Sequence, residues 1–407
     1  MIGVSVPGVA FGRAVIVFFL FLPVAFAITY IDWRRLSRTA LRYSSFPPEI
    51  RQLALTCMLI GLTWLVSCAL SIDPMKSFST FARTLALGVM CYLLTMLLAR
   101  DTQIFDTACK ALIVANSAIL LAAIVALYVD ESLFDLYRSV KGYHASTIQT
   151  LKPYFSVAVC ILPLVLWYGF RERGVWGILA VLHIPFTLLL IYGRGEQPGL
   201  SASIGLGSAV IALIGVWALT RVPRRTAWIL VMSVILGITT FTGYIVYHLP
   251  VPPISEAITP AIGFPDWHRQ VIWGFTIDII QSAPVFGVGP NTVNLMPGAN
   301  DLIPGMNQEY IPSHPHNWVL EIAAETGILG VALLLTAVLL GLRALFQLTK
   351  QDETAAWAAI ALYSAFWTSS LGNFSIWSAW WLAVFAVLMS FPLAAFVRGT
   401  NPRAGAI

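Results

Sequence analysis

Apolar residues in this chain come in long blocks, and polar residues are confined to the gaps between them. Blocks lie near residues 14–31, 53–72, 84–99, 108–129, 153–170, 175–192, 200–220, 226–247, 328–346, 354–372 and 375–397. Each is long enough to cross a hydrocarbon layer, which takes about 17–25 residues as a helix. In lipid every backbone N–H and C=O must be paired within the segment, so blocks rich in Leu, Ala and Ile are helices. The pattern predicts an all-α, polytopic integral membrane protein with about 11–12 transmembrane helices, the twelfth being a shortened helix within residues 1–13. No internal repeat is evident, and residues 1–407 read as a single transmembrane domain.

One gap is different. Residues 248–316 carry eleven prolines, yet they enclose the unbroken stretch "DWHRQVIWGFTIDIIQSA" at 266–283. Asp266 can cap this stretch as a helix and Pro284 ends it. Val271, Ile272, Phe275 and Ile279 fall on one side, and Gln270, Asp278 and Gln281 on another. That arrangement predicts a helix on the membrane surface or over a cavity. Loops much longer than about 15 residues usually carry function, so 248–316 is the expected lid of a site.

Composition agrees with lipid as the solvent: 58% of residues are hydrophobic, 11% are charged, and the mean hydropathy is +0.81. The first apolar block is followed by arginines without a small-residue cleavage site, and it reads as a retained helix. Cys57, Cys68, Cys91, Cys109 and Cys160 form no CxxC pair and read as packing residues. The excess of five positive charges is spread over short loops, a topology signal and not a nucleic-acid footprint. Arg34, Arg35, Arg38, Arg42 and Arg51 crowd one loop, "RERG" (171–174) and "RVPRR" (221–225) two more. Arg343, Lys350, Arg398 and Arg403 mark the last ones. Every second loop is thus basic and is expected to be cytoplasmic. The outward loops are then 73–83, 130–152, 193–199, 248–316 and 372–375, with an outward N-terminus.

Cations in outward loops break this rule and mark candidate chemistry. They are Arg194 in "YGRGEQPG", Arg269 in the first turn of the 266–283 helix, and Arg138, Lys141 and Lys152 around His144. A guanidinium grips phosphate oxygens with paired hydrogen bonds, and a helix N-terminus adds to that grip at Arg269. Taken singly, each residue also fits a simpler role: snorkelling, solvation, a helix-end anchor at Lys152, or pairing of Arg194 with Glu196. The stretch "IPSHPHNWVLEIAAETGILG" (311–330) places His314 and His316 at the mouth of a helix, with Asn317, Glu321 and Glu325 on one stripe. A histidine there can act as a general base, or can cap the helix, while Glu325 accepts from a neighbouring helix. Gly327 and Gly330 suit close approach of a neighbouring helix. No HExxH, paired Asp motif or helical His cluster occurs, so neither metal nor cofactor is expected.

Three stretches together resemble the O-antigen ligase and O-antigen polymerase superfamily of bacterial envelope glycosyltransferases. His316, Asn317, Leu320, Glu325, Gly327 and Gly330 match its H-N-x-x-L-x-x-x-x-E-x-G-x-x-G pattern. Arg269, Trp273, Pro284, Gly287 and Gly289 resemble its Arg, Trp, Pro-x-x-G-x-G pattern. Arg194 resembles its Ser-Arg signature, with Gly193 in place of the serine. The resemblance implies a bacterial inner-membrane enzyme, C-type and metal-independent, whose active site faces the periplasm. It implies an undecaprenyl-pyrophosphate-linked glycan as donor and lipid A–core as acceptor, with inversion at the anomeric carbon. His316 is then the expected base, and Arg269 and Arg194 the expected stabilisers of the leaving pyrophosphate. Arg138, Lys141, His314, Asn317, Trp273 and Glu325 are expected substrate contacts. The ligase is favoured over a polymerase or a protein O-glycosyltransferase. A transporter would need ionisable groups near the bilayer midplane, which the blocks largely lack.

Overall fold

The computed structural model describes residues 1–30, 48–132, 146–193, 199–223 and 267–400, with isolated positions between 134 and 139 and between 225 and 247. The described residues form twelve helices and no strand, apart from one isolated bridge between Leu302 and Glu309. The helices are α1 Ile2–Ser5, α2 Val15–Tyr30, α3 Pro48–Ala69, α4 Pro74–Arg100, α5 Thr102–Tyr128 and α6 Thr147–Glu172. They continue as α7 Gly174–Tyr192, α8 Leu200–Leu219, α9 Trp267–Ser282, α10 Trp318–Gln347, α11 Glu353–Ser369 and α12 Ala379–Thr400. Eight are long and apolar enough to span a membrane: α3 to α8, α10 and α12. The chain is therefore an all-α, multi-pass membrane protein. Ten of the eleven expected blocks are helices, and the block at 226–247 lies largely outside the described residues.

Local chemistry explains where the helices outrun the apolar blocks. Asp73 accepts the Lys76 N–H at 3.0 Å and Pro74 occupies the first turn, so α4 begins ten residues before the block at 84–99. Asp101 caps α5 the same way through Ile104 N–H at 3.0 Å. α6 forms the centre of the bundle, with Tyr154, Phe155 and Tyr168 buried. α11 has 17 residues, and its alanine-rich face is buried. It lies inside, where Gly205 of α8 approaches Ala365 and Ser369 too closely for any Cβ. Ser201 Oγ donates to Ser369 O at 2.7 Å, closing that contact.

The bundle has two distinct ends. At one, Lys110 pairs with Glu172 at 3.5 Å, Tyr168 donates to Asp106 at 3.2 Å, and Arg398 donates to Thr102. This is the end of the described arginine-bearing joints. At the other end lie Ser71–Ser77, Tyr128 with Leu189, and the loops around 284–316 and 370–378. The alternation of basic and non-basic loops thus maps onto two opposite ends.

Three details refine the sequence reading. Residues 1–13 form α1 and a 3-10 turn, Pro7–Phe11, buried beside α5, where a Cβ on Gly3 would sit 2.2 Å from Ala108 O. They are a short inserted piece, in keeping with the shortened twelfth helix expected there. The second concerns α9, whose apolar face is covered by the loop itself. Val271, Ile272, Phe275 and Ile279 pack with Val288, Val293, Ala299, Ile303, Tyr310, Ile311 and Ala324 into a small core of the loop's own. Gln270, assigned to the polar side, is buried. Asp266 lies outside the described residues.

The third is a break in α10. At Gly327 the backbone turns to φ 73°, ψ 179°. The ladder opens there, and the loop after α9 fills it. Val288 N–H donates to Ala324 O and Gly289 N–H to Glu325 O, both at 2.9 Å, while Ile328 N–H donates to Pro284 O at 2.8 Å. Non-helical backbone within an apolar segment is tolerated where protein groups pair with it, as these three bonds do. Gly327 thus admits a loop, and not the neighbouring helix expected; a Cβ there would lie 2.0 Å from Val285 O. A Cβ added at Gly287, at φ 67°, would likewise overlap the Glu325 carbonyl carbon. The Pro-x-x-Gly-x-Gly pattern is the mate of this break. Replacing Gly327 by Ala combines a left-handed backbone with steric overlap, about 3 kcal/mol in all. A thermal melt in detergent should show the loss; an unchanged melting temperature would mean that the loop does not seat in the break.

Candidate functional site

Two buried carboxylates organise the site end. Glu325, on the first half of α10, accepts from Asn291 N–H at 2.7 Å, Val293 N–H at 3.0 Å and the Trp377 indole N–H. Glu321, one turn earlier, accepts from Ile376 N–H at 2.9 Å and from the Ser375 hydroxyl. Both are at most 1% exposed. An unpaired carboxylate at such depth is very costly, and these two are held by donors from two loops. Glu325 therefore fixes loop 291–293 and Trp377 from beneath the site. It does not line the site as the substrate contact expected from the sequence.

Glu321 fixes the turn at 372–378, and that turn holds the histidines. The Asn373 carbonyl lies 2.7 Å from His316 Nδ1 and 2.7 Å from His314 Nε2. A carbonyl only accepts, so both ring nitrogens carry protons. His314 Nδ1 then accepts from the Ser313 hydroxyl at 2.8 Å, and His316 is left with the lone pair of Nε2. The two rings stand 4.2 Å apart, centre to centre. His314 is thus a partner in orienting the turn, and His316 presents a basic nitrogen.

Their placement is strained and braced. His316 takes φ 56°, costing about 1–2 kcal/mol for a residue with a Cβ. Asn317 caps α10, its side chain accepting from Val319 N–H at 3.0 Å and Leu320 N–H at 3.3 Å. Trp273 of α9 donates its indole N–H to Pro315 O at 3.0 Å. Asn317 and Trp273, expected as substrate contacts, act in this structure as the cap and the brace of the His316 segment. Trp318 N–H donates to Ser370 O at 3.3 Å and its indole to Trp367 O at 3.0 Å, which ties α10 to the end of α11.

The charge around the imidazoles is positive. Arg269 stands beside the turn, its Nη1 3.8 Å from where a Cβ on Gly372 would be. Burial pulls the His316 pKa down to about 3; His314, Arg269 and Lys152 add to the lowering, against the hydrogen bond to Asn373. His314 is lowered for the same leading reason, and Arg13 and Arg269 contribute. His316, Arg269 and Lys152 are thus brought together. Arg194, Arg138 and Lys141 lie outside the described residues, as do His144 and Glu196. Among the described residues His, Cys, Asp and Glu form no group of three able to hold a metal ion.

Sequence reading placed an outward loop at 372–375 but gave no role to Asn373 and Ser375, which do the orienting. The available signal was "LGNFS" (371–375), a Gly, Asn and Ser cluster between two apolar helices. It also set Lys152 aside as an anchor, and gave Arg13 no role.

Fold and site together define a class: a multi-pass helical membrane protein carrying an imidazole and guanidinium site at one end of its bundle. Residues 159–335 match the O-antigen ligase family, which bears out the resemblance of the motifs. The matched stretch holds α9, the Pro-x-x-Gly-x-Gly loop, both histidines and both buried carboxylates, but neither the 372–378 turn nor Arg13. A Rickettsia typhi protein named "Putative polysaccharide ligase" is similar over 340 residues at 23% identity, 80% of this chain and 76% of its own length. A Rickettsia felis protein of the same name is 23% identical over 344 residues, 78% and 74% of the two chains. A third, from Rickettsia conorii, is 26% identical over 207 residues, 48% and 47% of the two.

A pKa depressed in the fold gives a signed expectation. Unfolded histidine titrates near 6.5, so neutral burial of His316 contributes stability above that pH, and the contribution fades as pH falls toward the folded value. Thermal melts at pH 7 and pH 4.5 should therefore show a smaller acid loss for His316→Gln than for the wild type. An equal loss in both would contradict burial of the neutral ring.

Proposed function

We propose that this protein transfers an O-antigen glycan from undecaprenyl pyrophosphate to lipid A–core, without a metal ion and with inversion. The family match supports the coarser reading, a polysaccharide or O-antigen ligase-type glycosyltransferase in a membrane. The observation that carries the finer one is the fixed tautomer of His316, whose free Nε2 lies among cations. In this reading Nε2 takes the proton of an acceptor hydroxyl as its oxygen attacks the anomeric carbon. The bond from that carbon to the pyrophosphate oxygen breaks, and the oxygen leaves with the electron pair. Arg269, with Arg194 expected opposite, meets the growing charge and does the work that a divalent cation does elsewhere. The site then faces the periplasm from the bacterial inner membrane, where both lipid-linked substrates are exposed.

The free imidazole is a weak base, because charge repulsion and burial keep it neutral. A bound diphosphate brings negative charge that offsets Arg269 and Lys152 and raises its basicity. The acid limb of kcat is therefore expected at higher pH than that of kcat/KM; coincident limbs would argue against a base beside the diphosphate. His316→Ala should lower transfer by about 10²–10⁴-fold with insertion intact, and Arg269→Lys by about a hundredfold, since a point charge cannot replace a bidentate fork. Purified protein given carrier-linked glycan with lipid A–core should yield capped acceptor, and with donor alone no longer glycan. A ladder of extended donor in the second tube would instead identify a polymerase, and near-normal transfer by His316→Ala would remove the assigned base.

A further inference from the structure

The two histidines share one carbonyl but differ in what a further proton does to each. His314 Nε2–H and His316 Nδ1–H both donate to Asn373 O at 2.7 Å, which occupies both lone pairs of that oxygen. The rings stand 4.2 Å apart, centre to centre. Two imidazolium charges at that spacing repel, so the pair takes up protons one at a time. The ring that charges first is set by what its remaining nitrogen faces. His314 Nδ1 lies 2.8 Å from the hydroxyl of Ser313, which is exposed. When Nδ1 gains a proton, that hydroxyl can turn, accept with its oxygen and give its own hydrogen to water. The bond from Nε2 to Asn373 is kept, so charging His314 breaks nothing. The remaining nitrogen of His316 opens into the site instead, where burial, His314, Arg269 and Lys152 all oppose a charge on the ring.

Other charged groups bear on the pair from every side. Lys152 belongs to α6, Arg269 to α9, and Arg13 stands ahead of α2. Glu321 of α10 lies under the turn, tied to Ser375 and Ile376, and Glu131 and Asp135 stand near the start of α6. All of them stay in place when a histidine or Ser313 is replaced, so their fields cancel in a comparison of variants.

We propose that His314 is a positioning residue for the transfer: it takes the first proton that reaches the pair, so that Nε2 of His316 stays free to act as the base. The role in transfer rests on the reading of His316 given above; the order of protonation does not. The test is a nitrogen-15 NMR titration from neutral pH into acid, on wild type, His314→Gln and Ser313→Ala in nanodiscs, with melting temperatures alongside. His316→Gln completes the assignment of the two rings. Glutamine keeps a donor for the Asn373 carbonyl but carries no charge. In the wild type His314 should become doubly protonated before His316 does. In His314→Gln the midpoint of His316 should rise by about one pH unit. In Ser313→Ala the midpoint of His314 should fall, its acceptor having gone. Transfer by His314→Gln, relative to wild type, should then drop about a further tenfold once the pH is below both midpoints of His316. A His316 that charges before His314, or whose midpoint is the same without it, would overturn the proposal. If the Gln variant melts early, Ser313→Ala decides, because its position is exposed: an unmoved His314 midpoint overturns the proposal just the same. A wild type that transfers no glycan, with the titrations in the expected order, defeats the parent reading and bears out the proton order.

Discussion

The site end depends on two carboxylates buried on a single face of the first half of α10. Together Glu321 and Glu325 take donors from 291–293, from Ser375 and Ile376, and from the Trp377 indole. Removing either would strand several donors in a space that water does not reach, at about 1–3 kcal/mol each. The carboxylates thus act as clips, joining loops that are far apart in sequence to one rigid helix. Their place in the chemistry is indirect: they set where the Asn373 carbonyl points, and that carbonyl sets which nitrogen of His316 is basic.

The clips work because α10 is broken. Gly327 opens the ladder, and the backbone of 284–289 enters and pairs with the freed groups. Glu325 would otherwise sit on an unbroken apolar helix with no backbone donors in reach. The small core beneath α9 keeps this loop rigid, with Phe275 stacked on Tyr310 at 5.2 Å. A rigid loop is what a site made of separate segments requires, since small displacements of catalytic groups cost large factors in rate.

Much of this was visible in the order of residues, and most failures concern contacts that the order of residues does not record. Block lengths gave the spans, and basic loops gave the two ends, because lipid forces both choices on the backbone and on charge. The helix at 266–283 and its apolar face were visible for the same reason. The roles of Asn317, Glu325 and Gly327 were not. Glu325 is decided by partners more than ten residues away and Gly327 by a backbone angle, neither of which periodicity records, whereas Asn317 caps N–H groups only two and three residues on. Asn317 looked like a ligand and is a cap; Glu325 looked like a ligand and is a clip. Gly327 looked like a helix contact and is a hinge for a loop. Gln270 went to the polar side because helix phase alone cannot show what covers a face. Asn373 escaped because its side chain is incidental, the carbonyl being the working group.

The central claim is that the Asn373 carbonyl locks His316 with its proton on Nδ1 and a lone pair on Nε2. Nitrogen-15 NMR of histidine-labelled protein at neutral pH, with His316 assigned by difference from His316→Gln, reads that state directly. The account predicts a protonated Nδ1 and an unprotonated Nε2 for His316. A proton on Nε2, or on both nitrogens, would contradict it.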